Sequence, residues 1–415
     1  MVRTGPIGGR NLWPVVVALL VLGASPAVAA TPGALDRSFS GNGIAFVRAG
    51  SGVFGQAVAL DSEGRLVVGG GSDHRAMLAR LLPNGDLDPT FGGDGKVRLP
   101  GGFIMDIEFM PDGRIVGVGF DRVGDRYGWY VVMVTTDGEP DATFGTGGVA
   151  EAAYAGGQAH AFGVAVDARG RVVAVGGRNE DAVLARYLPT GMLDPSFSGD
   201  GRRVVPLGET GADPSYDDRL LDVALAPDGD LIAVGEIDRE SIGVVRLEDS
   251  GDLVEAFGDG GSIVQPIGAV YAYGGSVLVQ GDRIAIGATI DNSMAVLAYT
   301  SDGTPDETFG GGDGVVYVAP DNRSAQDSPI ASTPGGGYVM AGAVWRQDQL
   351  DALVCRLDHD GVPDATFGDR GERIVTLPRN DVLSDVAVRP DGRIVVTGSR
   401  FGGSRDKIEV LQLHG

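Results

Sequence analysis

Cysteine is almost missing from this chain: Cys355 is the only one in 415 residues. That excludes a disulfide framework, a multi-cysteine zinc site and a redox dithiol. Histidine is scarce as well. His74, His160, His359 and His414 are scattered with no HExxH spacing, so no histidine metal centre is expected. Basic charge is in deficit, with 33 Lys and Arg against 56 Asp and Glu and a net charge of −23. A field of that sign repels phosphate backbones and anionic lipid, and no nucleic-acid partner is expected. No apolar run reaches the ~20 residues of a spanning helix, so the mature chain is expected to have no membrane span. No segment shows 10–15 residues of apolar helical spacing, which argues against parallel βαβ architecture.

Glycine is what the chain has in excess, 69 of 415 residues, together with 43% hydrophobic residues. Charge-driven disorder is incompatible with that hydrophobic content. The glycines follow no three-residue period, which rules out collagen. Glycine-rich and apolar together, the composition describes many tight turns between short strands.

Residues 1–30 read as a secretory signal peptide. Arg3 and Arg10 are the basic start, Val15 to Gly23 the apolar stretch, and Ala27-Val28-Ala29 or Val28-Ala29-Ala30 the small-residue cleavage site. Export to the periplasm or the outside is therefore expected. Loss of Arg3 and Arg10 moves the net charge from −23 to −25. Cys355 lies far from the cleavage site, so no lipid anchor is expected there.

A motif recurs seven times over residues 31–415: Leu35-Asp36-Arg37-Ser38-Phe39, then its counterparts ending at Phe91, Phe144, Phe197, Phe257, Phe309 and Phe367. The steps between phenylalanines are 52, 53, 53, 60, 52 and 58 residues. Such a period signals a solenoid, a propeller or an array. The third unit shows four strand-like runs: Val149 to Ala153, Phe162 to Val166, Arg171 to Val175 and Ala182 to Leu188. The turn Asp167-Ala168-Arg169-Gly170 separates the second and third. Seven units of four strands match a seven-bladed β-propeller, all-β with antiparallel blades. A right-handed β-helix could also repeat, but its coils are usually shorter and it needs end caps.

The ends favour a ring. Only 48 residues follow Phe367, four short of the 52-residue step, and the missing piece is the Leu-Asp-x-Ser-Phe motif. A lone copy stands at Leu35 to Phe39, where it can complete the last blade beside Lys407 to Leu413 and remove open sheet edges. The same elements resemble the delta-60 repeats: Leu-Asp-x-Thr-Phe-Gly, the Pro390-Asp391-Gly392-Arg393-Ile394-Val395-Val396 hairpin and the Leu78-Ala79-Arg80-Leu81 strand. That bacterial group implies a propeller and no assigned activity. Val254 and Ala256 in the fifth motif, Pro334 to Gly337 in blade 6 and the short Gly281-Asp282 hairpin in blade 5 depart from the pattern.

The recurring residues read as structural. Asp36, Asp88, Asp141, Asp194, Asp306 and Asp364 suit turn chemistry, in which a short carboxylate accepts backbone N–H groups. Phe39, Phe91, Phe144, Phe197, Phe257, Phe309 and Phe367 are expected as plugs between sheets. Arg80, Arg186, Arg246 and Arg356 recur on one strand, but Met133 stands with Asp141 and Arg246 with Val254, so arginine and motif acid do not track each other. The Gly-Asp-Gly turns offer too few oxygens for calcium. No metal site and no cofactor are expected, with a bound cation such as Ca2+ as the alternative.

No catalytic set is recognisable: there is no GxSxG elbow and no phosphate-binding loop. A propeller can still bring carboxylates from separate blades onto its axis. The less uniform connections share one face, where binding function concentrates on loops. The ligand-binding candidates there are Asp213, Tyr216, Asp217 and Asp218 on the longest connection, with Trp129 and Trp345. The expectation is a monomeric exported binding module for an unknown protein or carbohydrate. A secreted carbohydrate-active hydrolase or lyase and a structural cell-surface protein are the alternatives.

Overall fold

The computed structural model describes Met1 and residues 31–415, apart from 49, 51, 74, 124–125, 151, 155–157, 180, 208–217, 267–270, 319–327, 347 and 402–405. The proposed leader lies outside the described residues. Residues 31–415 form one unit, and every regular element described in it is a β-strand.

The strands assemble into seven antiparallel sheets, the blades of a closed propeller. Blade 1 runs outward from Phe54–Leu60 through Leu66–Ser72 and Arg75–Leu81 to Lys96–Arg98. Six further blades follow, with innermost strands Phe103–Phe109, Ala159–Val166, Arg219–Leu225, Ala272–Gln280, Ile330–Ser332 and Asn380–Val388. The short run after each glycine turn, read above as the first strand of its unit, is instead the outer strand of the preceding sheet. Arg202–Val205, for example, pairs with Asp181–Tyr187. Blade 2 reduces its outer strand to the Val132–Val149 bridge, with the Ala150 N–H donating to the Val131 carbonyl at 3.0 Å.

The ring closes as the chain ends suggested. Ile44–Val47 pairs with Lys407–Leu413 in the register Ile44–Leu411 to Val47–Ile408, and a Leu35–Leu413 bridge continues it. The Gly33 N–H donates to the His414 carbonyl at 2.7 Å.

The two middle strands of each blade are the core. Val172–Arg178, rich in β-branched residues, is buried from Val172 to Gly177. Apolar side chains form seven clusters, one at each junction between blades. The junction of blades 7 and 1 contains Phe39, Val58, Leu66, Val395 and Val410. All seven motif phenylalanines are buried in such junctions.

Glycine serves two purposes. Gly138 turns the chain at φ +93, and a Cβ there would lie 3.0 Å from the Phe91 ring of the preceding blade. Gly119, mid-strand, faces a bulge: a Cβ would come within 1.9 Å of the Phe103 carbonyl oxygen.

Candidate functional site at the axis and the variable-loop face

The repeated aspartates hold the wheel together. In six blades the motif carboxylate accepts the backbone N–H and the hydroxyl of the Ser or Thr two residues on, as Asp194 does from Ser196 at 3.0 and 2.7 Å. Its other oxygen takes a cation from whichever strand supplies one. Arg80, Arg186 and Arg356 reach Asp88, Asp194 and Asp364 from the third strand at 2.8 Å. Arg283, at the start of the second strand, reaches Asp306, and Arg114, just before the second strand of its blade, reaches Asp141, both at 2.6 Å. Arg393 and Gln412 serve Asp36. Arg246, facing Val254, turns to Asp228 and Asp230. The changing donor explains why arginine and motif acid do not covary along the chain. Burial works against ionisation here, yet the hydroxyl, the amide and the guanidinium hold Asp194 below the usual carboxylate range.

The same arginines staple neighbouring blades. Arg80 donates to the Thr136 carbonyl, Arg186 to that of Asp249 and Arg283 to that of His359.

The axis is built from the innermost strands, which run from the variable-loop face to the motif face. Five of them show a register irregularity at one equivalent place, between Gly55 and Ala57, Ile104 and Asp106, Leu220 and Asp222, Gly274 and Ser276, and Leu383 and Asp385. The third blade has its own opposite Gly176. Such a bulge re-aims the next side chain. In blades 2, 4 and 7 that side chain is Asp106, Asp222 and Asp385.

Each of these carboxylates bridges two blades. One oxygen accepts its own following N–H, from Ile107, Val223 or Val386, at 2.7 to 2.8 Å. The other accepts the N–H of the next innermost strand: Val164 at 2.8 Å, Val277 at 2.8 Å and Val58 at 2.6 Å. Burial, the largest influence, pushes Asp385 up to about 7 and Asp222 up to about 6, with Asp106 also well above its ordinary value. The backbone donors pull back on all three, and the Ser276 hydroxyl on Asp222.

Two cavities meet at this layer. A chamber of about 440 Å³ opens toward the motif face, walled by all seven innermost strands and carrying Glu108. A smaller one of about 100 Å³ lies toward the variable-loop face, among Gln56, Met105, Phe162, Leu221, Ser328 and Ser384. Among the described residues, no three His, Cys, Asp or Glu side chains are grouped to hold a metal ion.

An aromatic cluster leads to the smaller chamber across blades 2 and 3. Phe120, Tyr127 and His160 meet at centroid distances of 4.9 to 5.2 Å. Phe103 adds a contact to Phe120 at 5.3 Å, and Phe162 stacks on His160 at 5.8 Å. Arg219 lies 5.7 Å from the Phe162 centroid and is tied to Glu236 at 2.6 Å. Tyr127 is 39% exposed, and its N–H donates to the Gln158 side chain at 2.8 Å, joining the two blades at the rim.

Of the six residues proposed from the sequence, the three that the structure describes are not brought together. Asp213, Tyr216 and Asp217 lie outside the described residues. Asp218 is half-buried and accepts the Asp238 N–H at 3.1 Å. Trp345 is 46% exposed near the tip of a blade 6 hairpin. Trp129 is a correction: it belongs to the strand Arg126–Val134, is 5% exposed and packs edge-on against Tyr154 at 5.3 Å. Its indole is core at the junction of blades 2 and 3. The axial acids and the aromatic cluster were missed. A charged residue inside an apolar strand, as in Leu221-Asp222-Val223 and Ser384-Asp385-Val386, was the available signal.

Fold and site together define a seven-bladed β-propeller with an acid-bridged axial channel and an aromatic mouth on one face. Residues 62–91, 111–144 and 170–197 match the family described as "Domain of unknown function (DUF5122) beta-propeller". Each match ends at a motif phenylalanine, and the matched family is of the delta-60 type that the motifs resemble. No curated protein matches the chain. Among solved structures, a catalytically inactive variant of virginiamycin B lyase from Staphylococcus aureus with quinupristin is similar at TM-score 0.54 and 13% identity, over 89% of this chain and 99% of that one. Sqt1 from Chaetomium thermophilum is similar at TM-score 0.48 and 16% identity, over 89% and 97%. At these identities the likeness is one of fold.

Proposed function

We propose that the protein is an exported binding module whose ligand seats on the variable-loop face, over the aromatic mouth of the axial channel. The observation that carries this reading is the run of contacting rings from exposed Tyr127 inward to Phe162, which lines the axial chamber. Exposed aromatics on a rigid scaffold are the usual material of binding sites. The signal-peptide pattern of residues 1–30 supports export.

One observation favours a second reading, an enzyme. Burial at the axis raises the Asp222 and Asp385 carboxyls to about 6 and about 7, the range in which general acids and bases work best. Against it, both oxygens of each carboxyl already accept backbone N–H groups. The test is a thermal-shift screen over saccharides, amines and peptides, followed by product analysis of every hit. Saturable binding that weakens in Tyr127→Ala, without turnover, is expected. Conversion of a hit would make the protein an enzyme, and hits indifferent to Tyr127→Ala would place the site elsewhere.

A further inference from the structure

This inference rests on the reading of the aromatic mouth as the binding site and concerns what it binds. We propose that the ligand is an uncharged saccharide chain held end-on. Its rings lie along Tyr127, Phe120, His160 and Phe162, and an exocyclic substituent of the terminal sugar reaches into the axial chamber.

Three features converge on that class. The track is aromatic from rim to axis, and the electron-rich ring faces attract the weakly positive C–H face of a sugar. At its inner end the lining changes to Gln56, Ser276, Ser328 and Ser384. Amides and hydroxyls both donate and accept, the match for sugar hydroxyls. Ser276 and Ser328 already bond within the protein, but an acyl chain would offer Gln56 and Ser384 no hydrogen bonds, which is costly. Charge then narrows the choice. The net charge of −23 disfavours an anion. Arg219, paired with Glu236, already holds the cation–π position at Phe162, which leaves no such place there for a ligand cation.

Size sets the orientation. The chamber of about 100 Å³ holds roughly three waters at ~30 Å³ each. That is room for a hydroxymethyl or acetamido group and too little for a whole ring, so the sugar rings stay outside on the aromatic track.

The experiment titrates the full mature chain with cellohexaose, chitohexaose, xylohexaose, oligogalacturonate and octalysine at low and high salt. Cellohexaose or chitohexaose should bind saturably and independently of salt. Xylohexaose, which lacks the exocyclic carbon, should bind about tenfold more weakly, the factor made by 1.4 kcal/mol. Tyr127→Ala should weaken binding by at least that factor, while Tyr127→Phe keeps the ring and should bind like wild type. Equal affinity for xylohexaose and cellohexaose would overturn the end-on insertion. Octalysine or oligogalacturonate binding lost in Tyr127→Ala would overturn the uncharged class while leaving the site in place. Binding of no neutral saccharide would overturn the proposal, and saccharide binding unaffected by Tyr127→Ala would overturn the site itself.

Discussion

Replacing Asp385 by Asn should make the stability less dependent on pH, although Asp222 and Asp106 remain raised. Asp385 has its carboxyl raised from 3.8 to about 7, burial being the main cause. A carboxyl moved that far favours its neutral form by about 4 kcal/mol, at 1.36 kcal/mol per pH unit. Because the folded value lies above the unfolded one, this stability is complete below about 3.8 and is lost as pH rises through about 7. Roughly 3 kcal/mol of it should vanish between pH 5 and pH 8. The motif acids do not blur that window. Asp88, Asp141, Asp194, Asp306 and Asp364 are lowered, so their contribution is lost only as pH falls below the ordinary carboxylate range. Asn keeps one acceptor where Asp offers two, to the Val58 and Val386 N–H groups, which costs about 1–3 kcal/mol. Urea midpoints at pH 5 and pH 8 are the assay. The variant should be clearly weaker than wild type at pH 5 and close to it, or stronger, at pH 8. Parallel pH profiles for the two proteins would refute the placement of a neutral, half-buried carboxyl at the axis.

Three further outcomes follow from the packing. Phe144→Ala empties a buried junction between blades and should lower stability by about 3–5 kcal/mol; an unchanged denaturation midpoint would contradict the plug. Asp194→Ala strands Arg186, which is 2% exposed, and should cost about 3–5 kcal/mol. Asp228→Ala, which removes an exposed partner of Arg246, should stay within about 1 kcal/mol, so equal losses would show the motif pair to be unimportant. Gly119→Ala would drive a Cβ to 1.9 Å from the Phe103 carbonyl and should give poorly folded protein by circular dichroism. A wild-type melting curve would remove the bulge from the account.

The ring was legible because the period reports the structural unit directly. Seven phenylalanines at near-constant spacing and a lone motif at Leu35 to Phe39 require a partner for Lys407 to Leu413, and the Ile44–Val47 strand pairs there. The glycines were half legible. Those after Asp in turns announce themselves, but Gly119 is needed only because a neighbouring strand bulges, which is known once pairing is known. The motif arginines misled for a similar reason: the acid is constant while its cation comes from different strands, as Arg80 and Arg283 show. The sequence places Trp129 beside a variable loop, whereas the strand it sits in extends out to Arg126. The axial acids come from blades 2, 4 and 7, so only closure of the wheel brings them to one channel.

Closure itself can be measured by a disulfide across the final sheet. Ala45 and Val410 are register partners, both buried, on strands 365 residues apart in the chain, within the reach that a disulfide demands of facing strand residues. Oxidised Ala45→Cys/Val410→Cys protein should form an intramolecular bond that shifts its mobility on a denaturing gel, whereas Ala45→Cys/Ile408→Cys, two positions out of register, should form far less. Free thiols in both proteins, or equal cross-linking in both, would mean that the amino-terminal strand does not complete the last blade.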